Sequence, residues 1–89
     1  MTPLATKVYK VVSGIPLGQV RTYKWVAKKA GKPKAFRAVG QILKRNPYPL
    51  IIPCHRVICS GGDIGGYVFG RRKKAMLLEL ERKIARMMI

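Results

Sequence analysis

Acidic residues are nearly missing from this 89-residue chain: three Asp and Glu stand against nineteen Lys and Arg, for a formal charge of +16. The shortage gives no ground to expect thermophilic ion-pair networks, which need both signs, and it points to a polyanionic partner. Histidine occurs once and cysteine twice, so a zinc site has too few ligands, and neither a metal nor a cofactor is expected. The two thiols, Cys54 and Cys59, are five positions apart in a stretch that reads as a strand. Side chains at that spacing face opposite sides, so free thiols of a reducing, cytoplasmic compartment are expected rather than a disulfide. No apolar run reaches membrane-spanning length, no secretory signal is read at Met1–Leu4, and repeats and low-complexity segments are lacking.

What is present suffices for one domain. The length is near the lower range for a self-sufficient core, and 48% of residues are hydrophobic. The cations are spread through the chain instead of lying on one interfacial helix, which favours nucleic acid over a membrane surface. Binding of that kind weakens with salt as counterions are released.

Thr2-Pro3 reads as an N-cap and first helical position, followed by the apolar stripe Val8, Val11, Val12 and Ile15. Ser13-Gly14 ends this helix, and Val20-Arg21 is short and extended. Thr22 caps a second helix, Tyr23 to Ala30, ended by Gly31. Lys32-Pro33-Lys34 links it to a third, Ala35 to Arg45, with Phe36, Val39, Ile42 and Leu43 inward and Arg37, Ala38, Gln41, Lys44 and Arg45 outward. Helix, Gly-containing turn, helix is the helix-turn-helix pattern. The outward residues also suit a plain solvated basic face. After Ser60, a glycine-dense loop runs through Gly65-Gly66 to Tyr67, able to expose backbone N–H groups or simply to connect two segments. Lys73 to Met88 forms a closing helix whose Leu77, Leu78, Leu80 and Ile84 are expected in the core.

Between these elements lies Leu50-Ile51-Ile52-Pro53-Cys54-His55-Arg56-Val57-Ile58. Its prolines, with Pro47 and Pro49 upstream, forbid helix and favour extended backbone. Its apolar residues are expected to draw it inside. The only histidine follows a cysteine, and a nearby imidazole lowers the cost of a thiolate. A buried thiol acting as a small hydrophobe is the alternative. The string Asn46-Pro47 to Pro53-Cys54-His55-Arg56-Val57-Ile58 resembles the active-site signature of the O6-alkylguanine-DNA alkyltransferases. The likeness extends over nearly the whole chain and covers only that family's C-terminal domain.

The resemblance implies a mainly α fold: a small winged-helix or helix-turn-helix-like DNA-binding domain with an active-site loop and short extended segments. Residues 1–89 would form that single domain, without the family's N-terminal one. It implies stoichiometric transfer of an alkyl group from O6-alkylguanine in double-stranded DNA to Cys54, by a monomer, after the nucleotide is flipped out. His55 matches the residue that takes the thiol proton through a water, and Glu81 the carboxylate that orients it. On residue type alone, Glu81 could instead be a surface charge paired with Lys74 or Arg82. Asn46 matches a hinge tying the active-site turn to the recognition helix; it could equally close that helix before proline. Tyr23 matches a donor to guanine N3, and is otherwise a half-buried core phenol. Tyr67 matches a wall of the base pocket, with Val57 and backbone N–H groups around Val68 contacting the base. Arg37 matches the arginine that enters the stack in place of the flipped nucleotide. Ala35, Ala38, Gly40, Lys44, Arg45 and Ser60 complete the implied DNA contacts.

Val68-Phe69 departs from the small or polar residue that many relatives carry after the tyrosine. Alkyltransferase-like proteins, which bind alkylated DNA without repairing it, have tryptophan where Cys54 stands; here the thiol is present. A basic architectural DNA-binding module with a structural cysteine is the third alternative.

Overall fold

In a computed structural model describing residues 2–88, helix α1 (Pro3–Ser13) starts where the capping pattern places it. The Thr2 hydroxyl accepts from the Ala5 amide at 3.1 Å, and Pro3 occupies the first turn, where its missing N–H costs nothing. Ala5, Val8 and Val12 recur at helical spacing and are buried together. Strand β1 (Arg21–Thr22) leads straight into α2 (Tyr23–Lys29), whose first turn is capped by the Thr22 hydroxyl accepting from Trp25 N–H at 3.0 Å. Helix α3 (Phe36–Lys44) begins one residue later than its pattern suggests and ends one earlier, with Val39 and Leu43 as its buried face. α2 packs on both α1 and α3, and the three bury a hydrocarbon core around Val8, Val12, Ile15, Val26, Ala27 and Val39.

The second half is joined to the first by strand β2 (Val57–Ile58), which runs parallel to β1 in the register Arg21 to Val57 and Thr22 to Ile58. Helix α4 (Arg71–Met87) closes the molecule. The chain is thus mainly helical: a helix-turn-helix-like unit, a turn at Pro53 to Arg56 and short extended segments.

Three expectations fail locally. Cys54–Arg56 is not extended but a single 3-10 turn, closed by Arg56 N–H donating to the Pro53 carbonyl at 2.9 Å. Proline excludes an α-helix there, yet its fixed φ suits the start of a tighter turn. Leu50 and Ile51, expected inside, are 57% and 80% exposed. The chain doubles back here, with Ile52 N–H donating to the Tyr48 carbonyl at 2.9 Å and Leu50 at φ +75°, so those two side chains point outward. On α4, Leu80 and Ile84 are also exposed, and Leu77 and Leu78 only half-buried. The residues buried from this helix are Lys74 and Glu81, two turns apart on one face. They meet backbone carbonyls and the His55-Arg56 turn, so a polar stripe docks and Leu80 is rotated away.

One glycine positions α4. Gly18, at φ +82°, lies so close to the helix that a Cβ there would come within 2.6 Å of the Ala85 methyl and 3.5 Å of the Glu81 carbonyl. No other residue fits both that backbone conformation and that gap.

Candidate active site

The 3-10 turn places Cys54 and His55 side by side under α4, both buried. His55 Nε2 lies 2.8 Å from Glu81 Oε2. Paired with a carboxylate, that nitrogen carries the proton, which leaves Nδ1 as the basic one. Nδ1 is buried and has no hydrogen-bond partner among the described residues. Burial alone would raise the Glu81 carboxyl, but hydrogen bonds from Arg56 and His55 outweigh it and hold it below its ordinary value. Ionised Glu81 is therefore an acceptor only, and it fixes the imidazole.

Arg56 completes the cluster. Its guanidinium grips Glu81 with Nε on Oε1 and Nη2 on Oε2, both at 2.9 Å, while Nη1 donates to the Ile15 carbonyl at 2.8 Å. This bidentate fork links the segment just after α1, the Cys54 turn and α4. Sequence reasoning missed it. A signal was there: an arginine directly after Cys-His in a chain with three acids. The suggested partners of Glu81, Lys74 and Arg82, are not its partners; Arg82 bonds Glu79 at 3.3 Å.

Cys54 opens on a pocket of about 250 Å³ lined by Tyr23, Gly40, Leu43, Lys44, Gly66 and Tyr67. α3 therefore forms one wall of it; Arg37 and Ala38 lie exposed elsewhere on the same helix, with Ala35 just before its start and exposed Arg45 just after its end. The Tyr67 hydroxyl is buried without a partner among the described residues, and burial, then the nearby Cys54 and Glu81, raise its pKa. Tyr23 is pushed up to about 12, first by burial and then by the two cysteine sulfurs. Gly65, at φ +75°, lets the loop pass close to Tyr23 and Cys59; a Cβ there would lie 3.1 Å from the phenol oxygen.

Asn46 joins α3 to the turn. Its amide nitrogen donates to the Ile52 carbonyl at 3.0 Å, and its side-chain oxygen accepts from Tyr48 N–H at 2.9 Å. Val57 is fully buried and its carbonyl is taken by Lys74, so its side chain is not on the pocket wall. Val68 and Ser60 are exposed and stand outside the lining as well. Both cysteines are free thiols. The described residues contain no cluster of three metal-ligating side chains, and no helix among them is long and apolar enough to cross a membrane.

Comparisons with known proteins show what the chain resembles as a whole. A methylated-DNA–protein-cysteine methyltransferase of Methanosarcina barkeri is 50% identical over 80 residues, covering 90% of this chain and 51% of the relative. Among solved structures, Mycobacterium tuberculosis OGT in complex with DNA matches with a TM-score of 0.91 at 42% identity, over 93% of this chain and 52% of that one. Schizosaccharomyces pombe Atl1 in complex with damaged DNA containing O6-carboxymethylguanine matches with a TM-score of 0.80 at 39% identity, over 91% and 77%. The chain spans about half the length of the curated relatives it matches. Residues 3–83 match the family described as "6-O-methylguanine DNA methyltransferase, DNA binding domain", and the chain belongs to that family.

Proposed function

We propose that this chain repairs O6-alkylguanine in double-stranded DNA by moving the alkyl group to Cys54, once per molecule. One observation carries the reading: a cysteine sulfur on the floor of a pocket, next to an imidazole held at 2.8 Å by a buried carboxylate. In the reaction, His55 Nδ1 takes up the thiol proton, directly or through water, and the thiolate attacks the alkyl carbon. A C–S bond forms as the C–O6 bond breaks, and the departing guanine takes a proton. Glu81 stays ionised throughout and stabilises the imidazolium.

The exposed cations of α3 and the charge of +16 suit the phosphate backbone. Arg37 enters the stack as the damaged nucleotide turns out, offsetting a few kcal/mol of unstacking. Tyr67 and Tyr23 hold the base in the pocket. Asn46 keeps the recognition helix and the nucleophile in fixed relation, as its two hydrogen bonds suggest.

Mixing the protein with duplex DNA bearing labelled O6-methylguanine tests the proposal. Label should appear on Cys54 and be lost in Cys54→Ala. A second reading, binding of damaged DNA without transfer, draws support from the likeness to Atl1; tight lesion-selective binding with no label on the protein selects it. Affinity indifferent to the lesion, with an unreactive thiol near neutral pH, selects a basic architectural module.

A further inference from the structure

Helix α4 is seated the opposite way round from an ordinary surface helix, which turns its apolar stripe to the core. It buries Lys74 and Glu81, while Met76, Leu80, Ile84 and Met87 follow one another at helical spacing and stay exposed. The outward stripe does not end at the helix. Leu50, Phe69, Met76, Leu77 and Leu80 line a groove of about 520 Å³, with Lys73 among its walls. Leu50, Phe69, Met76 and Leu80 are each more than half exposed. Single exposed apolar side chains are ordinary, but a contiguous apolar surface rimmed by charge marks an interaction site.

The rim is basic and under-matched. Arg72, one turn before Met76, and Lys83, one turn after Leu80, border the stripe on the same flank. Lys73 Nζ stands 6.0 Å from the centre of the Phe69 ring. The acid beside them, Glu79, is shared by Arg82 at 3.3 Å and Lys83 at 4.0 Å. Arg72 and Lys73 pair with no carboxylate among the described residues. A second copy of this chain would bring the same cations face to face, with +16 on each molecule. Duplex DNA satisfies cations but offers phosphate rather than hydrocarbon to Leu80 and Phe69. Only a surface that is apolar in the middle and acidic at the edge matches both features. We propose that this groove docks an acidic amphipathic helix of a partner protein, with its apolar anchors on Phe69, Met76 and Leu80 and its carboxylates on Arg72, Lys73 and Lys83. None of these residues lines the Cys54 pocket, so the inference is independent of the alkyl-transfer reading.

The probe is a labelled synthetic peptide with leucines at i, i+3, i+4 and i+7 and glutamates elsewhere. Its control has the same composition with the leucines scattered around the helix. Binding to the whole chain is read by fluorescence anisotropy at physiological salt, because at low salt so basic a protein draws any acidic peptide. The patterned peptide should bind about tenfold or more tightly than the scattered one, since only its leucines can enter the groove together. Combining Met76→Gln with Leu80→Gln should remove that advantage and leave the scattered peptide unaffected. Lys73→Glu should weaken the glutamate peptide and favour a version with lysines in place of the glutamates. Thermal melting checks that each variant is folded, and the Lys73 variant carries the test if the double one is not. Equal binding of the two peptides, or a preference that survives both sets of changes, overturns the proposal. So does displacement of the patterned peptide by undamaged duplex DNA, which gives the face to nucleic acid. A dimer seen in sedimentation and lost in Leu80→Gln gives it to a second copy instead. Binding to vesicles of anionic phospholipid that is lost in the same variants gives it to a membrane.

Discussion

Helices α1 to α3 and the half that follows Asn46 are of similar length, yet they are held together by different kinds of buried group. The first half hides Val8, Val12, Val26, Ala27, Val39 and Leu43. The second adds Cys54 and Val57 to that core but also hides His55, Lys74 and Glu81, while its large apolar side chains Ile51, Phe69, Met76 and Leu80 face outward. Hydrocarbon gains free energy from burial without regard to direction. Charge is costly to bury unless every donor and acceptor is matched. The first half therefore serves as scaffold, and the second stands on a fixed geometry of hydrogen bonds, which is also what a nucleophile and its base require.

Glu81→Ala should expose this contrast most. It strands Arg56 and His55 as buried groups without their carboxylate, and should cost about 3–5 kcal/mol in urea denaturation. Wild-type Glu81 is held below its ordinary value of 4.5, so the unfolded chain binds its proton first as pH falls. Its stabilisation is present above the ordinary carboxylate range and is lost as pH drops through the folded value. The acid limb of stability should accordingly be shallower in Glu81→Ala. Val26→Ala in the other half should cost about 2 kcal/mol, for two buried methyl groups and the cavity left behind, and this cost should be the same at pH 5 and pH 8. Leu80→Gln should change stability by less than about 0.5 kcal/mol, because that side chain faces solvent. A large loss from Leu80→Gln would mean that α4 is seated by hydrocarbon after all and would end the comparison.

The same contrast explains what could be read from the sequence. Helices α1 to α3 were legible because their signals are local: Thr2-Pro3, Thr22 and apolar residues at helical spacing each act within a turn or two. The pairing of His55 with Glu81 was legible through the family resemblance rather than through periodicity, whereas the turn that holds Cys54 was expected to be extended. Leucine spacing on α4 was misleading, since the face it suggested is not the one that docks. The roles of Arg56 and Lys74 were not legible. Each depends on carbonyls brought near by folding, those of Ile15, Val57 and Gly66, and a backbone oxygen leaves no mark on residue identity.

The seat of α4 on Gly18 has a reach beyond its own corner. Ala85, which rests in that gap, is one helical turn from Glu81. An added methyl group at position 18 would act as a wedge, tilting the helix like a lever and swinging the carboxylate off its imidazole. The aim of the imidazole beside the Cys54 sulfur thus depends on a hydrogen atom in a turn that is no part of the Cys54 pocket.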